Sequence, residues 1–346
     1  MHGSSRMRTL SHGTNVTPHA INRTYQVPDI NNILSISSTC EFESAAMELF
    51  AFQAEHCPPY KEYITGIGLS ADRVKHVSDI PFLPIEVFKS RRVYSFDTEP
   101  DIVFTSSSTG GGKPSCHCMR DVEDYKKTFR AAFRHFYGNP SQWGIYALLP
   151  GYLEREGSSL IYMTNDLIAA GHGGFYLHDH DRLLKDISDD KGPKILLGVS
   201  YALLDLAEKY SPDLSDTVIM ETGGMKGKRD EIPKEEFHKL LCKAFNTTKI
   251  HSEYGMAELT SQAYSKGDGL FAPPPWMKIS IRDLNDPFEI VAAGRTGGIN
   301  ILDLANISSC AFIQTQDIGT VDTEGNFSIF GRADRSEIRG CNLLVQ

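Results

Sequence analysis

Nowhere in this sequence do about 18 apolar residues run together, so it offers no helix long enough to cross a bilayer. Basic residues are in the minority, 35 Lys and Arg against 44 Asp and Glu for a formal charge of -9, which argues against the positive surface of a nucleic-acid binder. Cysteine is sparse. The seven residues Cys40, Cys57, Cys116, Cys118, Cys242, Cys310 and Cys341 are odd in number and scattered, which excludes a disulfide framework and points to a reducing, cytoplasmic compartment. The first 15 residues lack the apolar core of a secretory signal, and residues 1–30 read as a flexible tail. There is no internal repeat and no biased stretch. A hydrophobic content of 40% with 23% charged residues is that of a globular protein, and 346 residues allow one large domain or two ordinary ones.

What is present is a set of helical and strand-like patterns in a definite order. Ser38 followed by Glu41 is a capping-box pattern, and Phe42, Ala45, Ala46, Leu49 and Phe52 recur at helical spacing, predicting a helix over 41–55 that Cys57-Pro58-Pro59 stops. Val122, Tyr125, Phe129, Phe133 and Phe136 predict a second amphipathic helix between a cap at Asp121 and Gly138. From residue 143, apolar runs at 145–149, 195–199, 218–220 and 249–252 alternate with helical segments at 158–169, 201–210 and 233–245. That alternation is the mark of a mostly parallel sheet with helices. After Pro273-Pro274-Pro275 short strands with turn residues take over, at 278–281, 288–291, 299–302, 311–314, 320–321 and 327–330. The expectation is an α/β body over 31–272, a smaller β-rich subdomain over 273–335, and a C-terminal tail over 336–346.

The most informative stretch in the first half is Thr105-Ser106-Ser107-Ser108-Thr109-Gly110-Gly111-Gly112-Lys113-Pro114. Its glycines let backbone N–H groups turn inward, its hydroxyls add donors and Lys113 adds charge, so such a loop can cradle phosphates. It lacks the spacing of a P-loop, and composition alone fits an exposed linker equally well. Two further segments bear on the choice. In Ser252-Glu253-Tyr254-Gly255-Met256-Ala257-Glu258, a Glu just beyond a strand can reach over the carboxyl end of a parallel sheet and hold Mg²⁺ on phosphate oxygens. In Thr315-Gln316-Asp317-Ile318-Gly319, followed by Gly331-Arg332, an Asp offers two acceptors suited to a ribose and an Arg adds donors nearby. Taken singly, Glu258 also reads as a first-turn helix residue, Asp317 as a turn former and Arg332 as a solvated charge. Cys116-His117-Cys118 places its two sulfurs on one strand face and His117 on the other, which does not suit one tetrahedral zinc site. His172 and His178-Asp179-His180 read as polar loop.

Together these segments resemble the adenylate-forming superfamily, which includes acyl-CoA synthetases, peptide-synthetase adenylation domains and firefly luciferase. The resemblance implies that residues 105–113 grip ATP phosphates, that Tyr254-Gly255-Met256 lies near the adenine, and that Glu258 binds Mg²⁺. It also implies that Asp317 and Arg332 meet the ribose, and that Gly223, Gly224, Met225 and Lys226, within Thr222-Gly223-Gly224-Met225-Lys226-Gly227, line the adenine and acyl pocket. A closer resemblance, to the LuxE-type acyl-protein synthetases, is carried by Ile80-Pro81-Phe82-Leu83-Pro84-Ile85 with Phe88-Lys89, by Leu149-Pro150-Gly151-Tyr152-Leu153-Glu154-Arg155, by the Thr222 segment and by Ile338-Arg339-Gly340-Cys341-Asn342-Leu343. It implies activation of a fatty acid, transfer of the acyl group to the thiol of Cys341, and an acyl-accepting or acyl-reducing partner protein.

Three departures from the superfamily pattern stand out. Ser108 occupies a usual glycine position, Ala257 replaces a Thr, and the sequence ends at Gln346, before the domain that carries the adenylation lysine in larger members. Besides acyl-protein synthesis, the sequence leaves open a compact acyl-CoA ligase resembling phenylacetate ligases and a nucleotide-binding remnant without catalysis.

Overall fold

The structure, a computed structural model, describes residues 27–106, 113–150, 156–225, 229–230 and 232–333. In chain order its elements are α1 (Ile30–Leu34), α2 (Thr39–His56), α3 (Pro58–Gly66), β1 (Leu83–Pro84), α4 (Val87–Ser90), β2 (Ile102–Thr105), β3 (Cys116–Met119), α5 (Val122–Tyr137), β4 (Gly144–Leu148), α6 (Ser159–Ala170) and β5 (His172–Phe175). They continue as α7 (His180–Asp189), β6 (Lys194–Val199), α8 (Ser200–Tyr210), β7 (Val218–Thr222), α9 (Lys234–Ala244), β8 (His251–Tyr254), β9 (Ala263–Ser265), β10 (Phe271–Ala272), β11 (Met277–Arg282), β12 (Gly297–Asp303), β13 (Phe312–Val321) and β14 (Phe327–Arg332).

One continuous sheet carries the fold, with its path running β11-β12-β13-β14-β10-β9-β8-β7-β6-β4-β5 and β1 added beside β13. The pairs β5-β4, β4-β6, β6-β7 and β7-β8 are parallel, and antiparallel pairing begins where β8 meets β9. Strand order reverses at β4. Because crossovers between parallel strands are right-handed, α6 lies on one face of the sheet and α7, α8 and α9 lie on the other. Ligands of such sheets settle beyond the carboxyl ends of the strands.

Local chemistry explains the helices that place this sheet. Ser38 Oγ accepts from Glu41 N at 3.3 Å while Glu41 Oε2 accepts from Ser38 N at 3.0 Å, closing the capping box at the start of α2. The prolines expected to stop α2 also open α3, since Pro at the first helical position lacks only an N–H that would be unpaired there. Asp121 caps α5 through Glu123 N, and Tyr125, Phe129 and Phe133 on its inner face are fully buried.

Three features differ from the sequence expectation. Residues 288–291 form no strand. Asp283 Oδ1 accepts from Asn285 N at 2.7 Å, Asp286 Oδ1 accepts from Phe288 N at 3.0 Å, and these Asx turns leave Ile290 one bridge to Arg282. The segment His178-Asp179-His180 is not a loop throughout, because Asp179 caps α7 through Arg182 N at 3.2 Å. The strand β5, with two glycines and no β-branched residue, forms beside β4. A Cβ on Gly173 would lie 2.0 Å from Ile145 O, so close backbone approach selects glycine there.

The N-terminal helices are fastened to the β-rich half by one buried side chain. Gln53 of α2 donates to Asn306 O at 2.8 Å and Ile307 O at 3.2 Å, and accepts from Ala311 N at 2.8 Å. Gln53→Leu strands those backbone groups without water, so urea unfolding is expected to show a loss of about 2 kcal/mol or more. A change under about half a kcal/mol would mean that other contacts hold this junction.

Candidate active site

The residues singled out in the sequence fall into three groups at the carboxyl ends of β7 and β8 and on the neighbouring strands. Tyr254 ends β8. Its hydroxyl donates to Asp317 Oδ2 at 2.7 Å, and Arg332 Nε donates to Asp317 Oδ1 at 3.2 Å. Asp317 and Arg332 are direct register partners on β13 and β14, and a bulge follows, where the pairing steps from Ile318↔Gly331 to Gly319↔Ile329 and leaves Phe330 out. Such an extra residue re-aims the strand locally. The Tyr254 ring rests against Phe271 and Phe327, with centroids at 5.8 and 5.4 Å. Asp317 is buried while the Arg332 side chain is largely exposed, so this trio borders solvent on one side.

The second group is the loop from Gly255 to Ser261. Glu258 is 5% exposed, and no hydrogen bond or ion pair from another described residue reaches its carboxylate. Its backbone carbonyl accepts from Asn306 Nδ2 at 2.9 Å. Asn306 Oδ1 in turn accepts from His117 Nε2 and from Ser309 Oγ, both at 2.9 Å, which fixes His117 as the Nε2–H tautomer. Asp303, three residues earlier, takes Thr260 N and Ser261 N at 2.9 Å and Ser261 Oγ at 2.6 Å. A short stretch at the end of β12 therefore sets the whole loop.

The third group is the pair of strands that flank the Gly-rich segment in sequence, β2 and β3, which are antiparallel. Ser106 N donates to Ser115 O at 3.1 Å, and Ser115 N donates to Ser106 Oγ at 2.9 Å. Thr105 N donates to Gly157 O at 2.8 Å. Lys113 is exposed. Because His117 lies on β3, the hairpin is bolted through Asn306 to the Glu258 loop. Ser107, Ser108, Thr109, Gly110, Gly111, Gly112, Lys226 and Cys341 lie outside the described residues. Gly223 has a φ of +70°, its carbonyl accepts from Ser200 Oγ at 3.2 Å, and Met225 is buried. A Cβ on Gly224 would meet only open space.

Sequence reasoning did not single out His117 as a positioning residue, nor Asp303, Asn306, Glu221 or Glu253. Glu221 and Glu253 are buried on opposite faces of the sheet. Glu221 takes Ser252 Oγ at 2.8 Å and Ser200 Oγ at 3.1 Å, and pairs with Lys234 Nζ at 2.7 Å and His238 Nε2 at 3.4 Å. Burial pushes its carboxyl up, but His238 and Lys234 outweigh burial and bring it down to about 2. Glu253 has Thr222 Oγ1 at 2.5 Å; burial, reinforced by the Glu221 charge, pushes it up to about 7. The signal available was polar residues inside apolar strand runs, which in a buried sheet must be paired.

No protein-family model matches the chain. Two curated relatives do, both long-chain-fatty-acid–luciferin-component ligases. The one from Aliivibrio fischeri is 23% identical over 304 residues, covering 79% of this chain and 77% of the relative. The one from Vibrio harveyi is 26% identical over 324 residues, covering 83% and 82%. Among solved structures, 2-hydroxyisobutyryl-CoA ligase in an open conformation with 2-HIB-AMP and CoA superposes with a TM-score of 0.64 at 12% identity, over 86% of this chain and 71% of that one. ATP-bound MatB from Rhodopseudomonas palustris superposes with a TM-score of 0.52 at 17% identity over 69% of this chain, which spans half of MatB. The chain has the fold of these solved structures and is similar in sequence to the two ligases. No helix among the described residues is long and apolar enough to cross a membrane.

The buried His117 ring gives a pH test of the bolt. Burial, offset only in part by the Asn306 bond, lowers His117 to about 4 from its usual 6.5. Between those values the unfolded chain binds a proton that the folded chain excludes, so stability falls as pH drops from 6.5 towards 4. His251, lowered to about 4 by burial, acts in the same direction, while Glu253 acts in the opposite one. Comparison with a variant isolates the single term. His117→Gln keeps a donor for Asn306, and its unfolding free energy is expected to lose up to roughly 3 kcal/mol less than wild type across that window. Parallel curves would contradict the assignment.

Proposed function

We propose that this protein activates a long-chain or similarly apolar carboxylic acid with ATP and passes the acyl group to a protein thiol, in the manner of an acyl-protein synthetase. The observation that carries the reading is the convergence of Tyr254, Asp317 and Arg332 at the end of β8, beside a buried Glu258 carboxylate that no described residue pairs. Residues from three separated motifs meet there. The two curated relatives are ligases of a long-chain fatty acid, and the similar solved structures include an ATP-bound enzyme and one holding an acyl-adenylate and CoA.

In this reading Asp317 accepts hydrogen bonds from the ribose hydroxyls, Arg332 adds donors, and the Tyr254 ring offers a face to the adenine. Lys113 would offer its charge to the triphosphate. A carboxylate that no described residue pairs suits a hard cation, so Glu258 would hold Mg²⁺, which when bound neutralises phosphate charge. A carboxylate oxygen of the acid attacks the α-phosphorus of ATP, the new O–P bond forms, and the bond to pyrophosphate breaks. The protein's contribution is alignment and fixed donors: Asn306 and Asp303 hold the Glu258 loop still, and Lys113 offsets charge on the leaving group.

The acyl-adenylate then meets a thiolate, the acyl carbon bonds to sulfur and AMP departs. Among the described cysteines, burial holds Cys57 up at about 11 and pushes Cys310 and Cys118 upward, so these thiols are poor nucleophiles at neutral pH. Cys341 beside Arg339 is the proposed acceptor, which makes the partner an acyl-accepting or acyl-reducing protein.

Pyrophosphate exchange with a panel of fatty acids tests the first half. Wild type is expected to exchange, and Glu258→Gln and Asp317→Ala are each expected to lose about a hundredfold or more while keeping the wild-type unfolding midpoint. Unchanged exchange in either variant removes that residue from the site, and silence of wild type with every acid contradicts the reading. For the second half, Cys341→Ser is expected to keep exchange but lose the hydroxylamine-sensitive acyl label seen on the intact protein by mass spectrometry. Strong transfer to added CoA with none to protein would instead assign the compact CoA-ligase reaction.

A further inference from the structure

Large apolar side chains stand exposed at ten positions among the described residues, and three of them, Leu284, Phe288 and Ile290, share the loop that follows β11. Single exposed apolar residues are ordinary on any surface, whereas three in one loop make a patch. The loop is shaped by its own carboxylates. Asp283 Oδ1 accepts from Asn285 N at 2.7 Å and from Asp286 N at 3.2 Å, and Asp286 Oδ1 accepts from Phe288 N at 3.0 Å. These turns hold the Phe288 side chain 59% exposed.

The base of the loop is anchored in the sheet. Arg282 is buried and donates to Ile299 O at 2.9 Å, Asn300 Oδ1 at 3.0 Å and Thr315 O at 2.7 Å. A Cβ on Gly298 would lie 2.3 Å from its guanidinium carbon, so glycine is what leaves room for that side chain. Thr315 Oγ1 accepts from Asp317 N at 3.1 Å. The patch therefore hangs from β13, two residues before Asp317.

Charge and backbone pairing define what fits it. From 283 to 290 the loop carries Asp283, Asp286 and Glu289 and no base. Across a twofold axis a second copy of the chain would set these carboxylates against themselves, so the apolar side chains are better covered by a surface flanked with lysine or arginine. A strand cannot add here, because the outer edge of β11 is already paired at this end: Asp283 N donates to Glu289 O and Val291 N to Ile281 O, both at 2.8 Å. Recognition is left to side chains, as when an amphipathic helix lays its apolar face on a partner.

We propose that the loop over 283–290 is the docking surface for an amphipathic helix of another protein, one whose apolar face is flanked by lysine or arginine. Leu284, Phe288 and Ile290 meet the apolar face, and the three carboxylates meet the flanking cations. The surface is separate from the nucleotide chemistry proposed above and does not rest on it.

The experiment uses the full chain and two short synthetic helical peptides with the same leucine pattern, one carrying lysine and the other glutamate at its polar positions, titrated by fluorescence anisotropy at low ionic strength. The lysine peptide is expected to saturate the chain below about 1 mM, and the glutamate peptide to bind at least about tenfold more weakly. Phe288→Ala combined with Ile290→Ala is expected to weaken the lysine peptide about tenfold and Glu289→Lys about threefold, each with the wild-type unfolding midpoint. Asp283 and Asp286 stay in place because they shape the loop. Equal binding of the two peptides, undiminished binding by the double variant, or no saturation by the lysine peptide overturns the proposal. Sedimentation of the protein alone is expected to give the same mass for wild type and the double variant. A dimer that the double variant dissolves would assign the face to a second copy of the chain and overturn it as well.

Discussion

The site depends on how the end of β12 is held. Asp303 and Asn306 are fully buried polar residues, and between them they satisfy Thr260 N, Ser261 N, Ser261 Oγ, the Glu258 carbonyl, His117 Nε2 and Ser309 Oγ. A buried polar network with each of these bonds made is rigid, because breaking any one of them leaves a group without water or partner. Three distant parts of the chain are fixed by it at once: the paired strands β2 and β3 through His117, the acidic loop through Glu258, and the N-terminal helices through Gln53 on the Asn306 carbonyl. The proposed phosphate-facing residues thereby gain precision from a scaffold that touches no ligand.

The sheet adds a second constraint, in charge. Glu221 and Glu253 sit on adjacent positions of neighbouring strands, yet the sheet sends one towards the cationic face made by Lys234 and His238 and the other into an apolar wall. One is held ionised, and burial raises the other to about 7. Pairs of like acids driven apart by their surroundings mark places where a protein separates proton-bearing from charge-bearing roles. Here the separation coincides with the point where parallel pairing ends at β8 and antiparallel pairing begins at β9, beside Tyr254.

Much of this was legible in the sequence where a local rule operates alone. The capping box at Ser38, the aromatic stripe of α5 and the alternation after residue 143 each specify an element without help from distant chain. The joint order of Tyr254, Glu258, Asp317 and Arg332 pointed to one site, and the structure brings Tyr254, Asp317 and Arg332 into direct contact. What stayed hidden depends on pairing. The strand β5 pairs with β4 where Gly173 permits close backbone approach, α3 forms because a proline reads as a stop and as a start, and 288–291 fails as a strand because aspartates upstream capture its backbone. Asp303, Asn306 and Glu253 read as polar interruptions of apolar runs, and their partners lie tens to hundreds of residues away, beyond any spacing rule.

The central claim is that the Tyr254, Asp317 and Glu258 cluster receives the nucleotide, and a crystal structure of the full chain with a non-hydrolysable ATP analogue and Mg²⁺ tests it most directly. The account predicts ribose oxygens on the Asp317 carboxylate, the base against Tyr254, and the metal bound to a Glu258 oxygen. Nucleotide bound elsewhere on the sheet, or a Glu258 carboxylate turned away from the phosphates, would contradict it.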